Sequence, residues 1–223
     1  MSGPLFDRAA IEQALRALDE ELRRRRVRAD VHLVGGAAML LAYGDRPATR
    51  DLDGTWAPDE PVREAAWAVA DRMGLPRSWL NNQASVYMSS RAGTGRTVYA
   101  GRNLRVMVSP PEHLLAMKVM ASRPASDVAD IRILVQRLGL RSRDAVLELV
   151  RAHFPDDPIP ERAFDLLDDL MRDHGLAAEA PRLSETIGSQ PPAPKPQARC
   201  GRPMKRVPGH CSRPQGHTGP CRR

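Results

Sequence analysis

Residues Val31–Trp56, VHLVGGAAMLLAYGDRPATRDLDGTW, constrain this chain more than any other stretch. A short apolar run, Val31–Val34, meets the pair Gly35-Gly36. The run Ala37–Tyr43 has the composition of a short buried helix, and Gly44-Asp45-Arg46-Pro47 ends it in a turn. Asp51–Trp56 then returns as a second strand. On a strand, residues two apart share a face, so Asp51 and Asp53 point the same way while Leu52 points into the core. A glycine pair ahead of a helix lets backbone N–H groups approach a phosphate closely. Two carboxylates beside such a corner look like one half of a site for a metal-bound nucleotide. The plain alternative is two acids solvating a strand end.

The pattern around this stretch predicts an α+β fold, a small mixed sheet with flanking helices. Leu5–Arg26 carries an apolar stripe, Ile11, Ala14, Leu15, Leu18 and Leu22, at the helical period. Its Arg23–Arg26 run either complements the helix dipole or contacts nucleic acid. Val62–Met73 is a second amphipathic helix that Gly74 stops, and Leu75–Asn82 reads as a turn. Ser85–Ser89, Thr97–Ala100 and Leu104–Val108 are strand candidates separated by glycines. From Pro110-Pro111 onward the chain predicts a bundle of four helices: Glu112–Ala121, Asp127–Leu138, Ser142–His153 and Glu161–His174. The expected organisation is a core over 1–109, a helical region over 110–176, a Pro-rich linker over 177–198 and a cysteine-bearing module over 199–223.

Charge divides sharply along the chain. The formal net charge is +7, and residues 182–223 hold nine Lys/Arg against one acid, which is +8 and leaves −1 for residues 1–181. The basic character therefore belongs to the tail, which either steers toward a nucleic acid or is simply solvated. No apolar run is long enough for a membrane span, and the N-terminal pattern is not that of a signal peptide, so a cytoplasmic protein with no membrane partner is expected.

A second block, Ser109–Lys118 with Ala121-Ser122-Arg123 and Asp127–Ile131, completes a combination that resembles the nucleotidyltransferase superfamily. More narrowly it is similar to uncharacterised nucleotidyltransferase-like proteins and to the toxins of AbiE-type abortive-infection systems. The resemblance covers roughly residues 31–155. It implies that Asp51 and Asp53 hold Mg²⁺ against an NTP and that Gly35 and Gly36 meet its phosphates. Thr49 and Arg123 are further nucleotide-side candidates. Lys118 would neutralise a phosphate, and Asp130, with Asp127 beside it, would orient that lysine. The implied reaction transfers a nucleotidyl group to an acceptor hydroxyl, as on tRNA by a toxin paired with a cognate antitoxin. Such sites usually show a third carboxylate on a later strand, and Leu104–Val108 has none. A nucleotide-binding protein without catalysis, tethered by its tail, is therefore the alternative.

All three cysteines lie in the tail. The spacing Cys200-x10-Cys211-x5-His217-x3-Cys221 offers three thiolates and an imidazole, a tetrahedral zinc set within a segment too short for an apolar core. The other reading is a disordered tail with reactive thiols. A nucleic acid or an acidic protein surface would be the partner of this module.

Overall fold

A computed structural model describes residues 5–43, 47–88, 93 and 95–173, all of which fall in one compact unit. The expected linker and cysteine module, including Cys200, Cys211, His217 and Cys221, lie outside the described residues. The described fold is α+β, with a five-stranded mixed sheet and seven helices.

The strands are β1 (Ala29–Leu33), β2 (Leu52–Ala57), β3 (Leu80–Asn81), β4 (Arg96–Ala100) and β5 (Leu104–Val108), in the order β3-β2-β1-β5-β4. β1 runs antiparallel to β2 and parallel to β5, and β2 runs parallel to β3. One face carries Val31, Leu33, Leu52, Leu104, Val106 and Val108, all buried. Against it lie α1 (Arg8–Arg25) and α3 (Asp59–Met73). Their inward residues, including Ile11, Leu15, Leu18 and Leu22 on α1, are wholly buried. Each such side chain contributes about 1.5–3 kcal/mol of burial, which is what holds helices to sheet. Gly54 is required by this packing: a Cβ there would lie 2.5 Å from the His32 carbonyl oxygen on β1.

The helix α1 begins where Asp7 accepts from the Ala10 N–H at 2.7 Å and ends at Arg26 in the left-handed region. Its terminal arginines are largely spoken for. Arg23 pairs with Glu20, Arg24 with Glu21, and Arg25 with Glu21 and Glu64.

The Gly35–Ala38 helix, α2, continues without a break into a π-wound turn, Met39–Tyr43. Arg8 donates to the Leu40 and Leu41 carbonyls and Arg96 to that of Ala42, so side chains satisfy the acceptors that the wider winding leaves open.

Two expectations for the middle of the chain are corrected. Ser85–Ser89 is no strand: Gln83–Tyr87 is 3₁₀-helical, and Ser89 lies outside the described residues. Within the expected turn Leu75–Asn82, residues Leu80–Asn81 form the edge strand β3. Alternating Ser-Val-Tyr-Met suits a strand locally, but pairing with β2 is taken by Leu80 and Asn81.

The second half is helical: α4 (Pro111–Ala121), α5 (Pro124–Arg137), α6 (Arg143–His153) and α7 (Glu161–Asp173). α4 is the central one. Every residue from His113 to Val119 is buried, which is the signature of a helix packed on all sides. Its start is tied to the sheet through Ser109, whose hydroxyl lies 2.9 Å from His32 Nε2 on β1 and 3.1 Å from His113 Nδ1 on α4. The Tyr43 hydroxyl donates to the Ser109 carbonyl at 3.2 Å. No described helix is long and apolar enough to cross a membrane.

Candidate functional site

The antiparallel pairing of β1 and β2 puts the end of one strand beside the start of the other. Val34 donates to the Asp53 carbonyl at 2.9 Å, so the Gly35-Gly36 corner sits directly against the carboxylate strand. Gly35 has φ +61°, and a Cβ there would come within 3.3 Å of Asp53 Oδ2. Glycine is needed both for the backbone and for the space. No side chain caps the start of α2.

A cleft of about 810 Å³ opens at this point. Its lining brings together Gly35, Gly36, Thr49, Asp51, Asp53, Lys118, Arg123 and Asp127. These come from positions as far apart as 35 and 127, and they include every glycine and carboxylate of the sequence-predicted site except Asp130. That residue stands behind Lys118, with its Oδ2 2.7 Å from the lysine Nζ.

The carboxylates are held in an environment that resists their charge. Burial pushes the Asp53 carboxyl up to about 6, and the neighbouring Asp51 pushes the same way; Arg123, Asn81 and Lys118 oppose it. Burial also raises Asp51, against a hydrogen bond from Asn81 and the charge of Arg50. Two acids that repel each other in a partly desolvated cleft are stabilised by a shared cation. Among the described residues no group of three or more His, Cys, Asp or Glu converges on one point. Magnesium does not require such a cage, because it is commonly held by one or two carboxylates with substrate phosphates and water completing the shell. The donor set fits Mg²⁺ bound to a nucleotide.

Thr49 faces the cleft but is structurally engaged. Its backbone exchanges two hydrogen bonds with Phe6, and its hydroxyl donates to the Asp51 carbonyl at 3.1 Å. It fixes the approach to the carboxylates.

Lys118 differs from a freely projecting phosphate ligand. It is 7% exposed and held by Asp127 Oδ1 at 2.8 Å and Asp130 Oδ2 at 2.7 Å. One cation between two buried acids is a network of net charge −1, which holds α4 to α5 while presenting its edge to the cleft. The exposed cations at the cleft are Arg123, at the N-cap of α5, and Arg50. Within the described residues neither guanidinium has an ion-pair partner.

Sequence reasoning missed Asn81. β3 pairs with β2 so that Asn81 stands in register with Asp53. It is buried, with Nδ2 donating to Asp51 Oδ2 at 3.2 Å and Oδ1 accepting from the Gln83 N–H at 3.0 Å. The later strand that abuts the carboxylates is thus β3, whereas β5 lies beyond β1. The residue of that strand in register with Asp53 is an amide and not an acid. A two-residue strand has no periodicity to announce it, so only the pairing reveals this neighbour.

Comparison with protein-family models, curated proteins and solved structures gives no match.

Proposed function

We propose that the chain is a nucleotidyltransferase-like protein that binds a magnesium nucleotide in this cleft and transfers a nucleotidyl group to an acceptor hydroxyl. The observation that carries the reading is the convergence in one cleft of the Gly35-Gly36 corner, the Asp51/Asp53 pair and the cations of Arg123 and Lys118. No single one of these would suffice. Each suits a different part of the same ligand: carboxylates for a metal, glycines for close approach of the backbone, guanidinium for phosphate oxygens.

Mg²⁺, when bound, supplies charge neutralisation at the phosphate under attack. The chain's own residues orient and screen. Asp51 and Asp53 fix the position of the ion, and Asn81 fixes Asp51. Arg123 and Arg50 meet the phosphate tail at the rim. Lys118, held by Asp127 and Asp130, braces the wall of the cleft where α4 meets α5, and leaves the phosphates to the two exposed arginines. Such a constellation acts by positioning and electrostatic preorganisation. An RNA such as tRNA is the acceptor that the resemblance suggests, with an antitoxin as protein partner.

The second reading is a nucleotide-binding protein without transferase activity, and Asn81 favours it: the strand beside Asp53 offers an amide, and no further acid to deprotonate an acceptor or hold a second ion. Incubation with labelled NTPs, Mg²⁺ and total RNA separates the readings. Label transfer that disappears in Asp51→Ala/Asp53→Ala supports the first. Nucleotide binding in calorimetry without transfer supports the second. Transfer that persists in the double variant overturns the site assignment.

A further inference from the structure

A second groove, of about 400 Å³, lies at the other end of the sheet, where β1 and β5 begin. Arg28, Arg102 and Arg105 line it together with Asp30 and Asn103. We propose that this groove is a docking site for the phosphodiester backbone of a nucleic acid, separate from the cleft and independent of what the cleft does.

The charges on this end of the molecule have been sorted by the fold. Arg105 is neutralised by Asp30 across the β1–β5 pair, Nε to Oδ1 at 2.7 Å and a second guanidinium nitrogen to Oδ2 at 2.9 Å. The arginines ending α1 are paired with Glu20, Glu21 and Glu64. Of the three arginines that line the groove, Arg28 and Arg102 are left. Both are exposed, and within the described residues neither guanidinium has a hydrogen-bond or ion-pair partner. They precede the starts of adjacent parallel strands, whose backbones run about 4.8 Å apart. Two unpaired like charges lining one groove give it a positive field, and an anion laid across both is attracted by each.

The backbone that presents Arg102 is rigid. Asp19, from α1, accepts from the N–H groups of Arg102 at 3.2 Å, Asn103 at 2.7 Å and Leu104 at 2.8 Å. The Asn103 side chain also donates to the Val27 carbonyl at 2.7 Å, locking the approach to β1 against the approach to β5. The two guanidiniums therefore swing from fixed points, and only side-chain freedom is lost on binding.

A polymer fits this groove better than a small anion. Its donors are exposed forks with no buried partner, so a lone phosphate exchanges water for little gain. A strand of phosphates engages both forks at once and releases counterions with each. The strongly basic stretch 182–223 adds a long-range attraction for the same polymer.

The test is fluorescence anisotropy of the full chain with labelled oligouridylate across a salt series. Wild type binds, and Arg28→Glu/Arg102→Glu flattens the slope of log K against log salt by about 1.4, the value for two single-strand phosphate contacts. Asp30→Asn, which frees Arg105, does the reverse: affinity rises and the slope steepens by about 0.7. A gain of this kind cannot come from misfolding. Magnesium-nucleotide binding stays unchanged in both variants, so failure here and failure of the cleft reading are distinct. An unchanged slope in the charge-reversal variant, or no gain in Asp30→Asn, overturns the proposal. So does pyrophosphate or polyglutamate that binds as tightly as oligouridylate with the same dependence on Arg28 and Arg102, the first pointing to a small-anion site and the second to an acidic protein.

Discussion

Neutralising Asp53 should make the protein more stable, and only above its own titration. In the fold this carboxyl titrates at about 6, against 3.8 for a free one. At about 1.4 kcal/mol for each decade, the gap corresponds to about 3 kcal/mol carried by the ionised form. Solvent reaching a partly exposed side chain lowers this to about 1–2 kcal/mol. The native state holds the proton more tightly than the unfolded chain, so between about pH 4 and 6 it binds more protons and stability falls as pH rises. Above that window the whole penalty is present. Asp53→Asn removes it, and the variant should exceed wild type by about 1–2 kcal/mol near pH 8, converging with it near pH 4. Urea melts at the two pH values, in chelator, read the difference directly. Added Mg²⁺ should narrow the gap near pH 8 by stabilising wild type alone. A variant that is no more stable than wild type near pH 8, or a difference independent of pH, would refute the account of the site as a strained pair of charges.

Other perturbations probe the surrounding structure. Lys118→Met strands Asp127 and Asp130 as buried charges and should cost about 3–5 kcal/mol in urea unfolding; neutralising both acids in the same chain should recover most of that loss. Asp19→Ala removes the acceptor shared by three N–H groups, costing about 1–3 kcal/mol and speeding amide exchange at residues 102–104. His113, fully buried, is held down to about 4 by its burial, with His153 and His32 adding to it. Its native state therefore binds fewer protons, and acidification from about pH 6.5 to 4 should cost about 1–3 kcal/mol that His113→Gln does not lose. This runs opposite to the Asp53 effect, so each is read as a variant-minus-wild-type difference.

Much of the fold could be read from the chain because its long elements are strongly patterned. The stripe Ile11, Ala14, Leu15, Leu18, Leu22 defined α1, and the proline and serine starts defined the later helices. Helix boundaries moved where proline chemistry won: α5 begins at Pro124, one turn before Asp127, since proline suits the first helical position. The cleft was legible in part. Asp51 and Asp53 declare themselves by spacing, and the lining of the cleft places Gly35 and Gly36 with them. What local pattern could not supply was pairing between distant segments. Asn81 gains its meaning only by its register with Asp53. The resemblance sets Asp130 and Asp127 to orient Lys118, but only the packing of α4 on α5 shows all three of them buried. Ser109, in the sequence only the first residue of the second block, is the joint between sheet and α4 through His32 and His113.

The Lys118–Asp127–Asp130 network also sets a rule for how this cleft can change over evolutionary time. Its members sit within the packed seam of α4 and α5, and losing Lys118 leaves two buried acids with no cation between them, whereas losing one acid leaves a neutral pair. Arg50 and Arg123, at the mouth, carry no such obligation and can be exchanged one at a time. Among descendants of this sequence, position 118 should stay cationic wherever 127 and 130 both stay acidic, and the acids should change before or with it, while positions 50 and 123 vary singly with whatever the mouth of the cleft must admit.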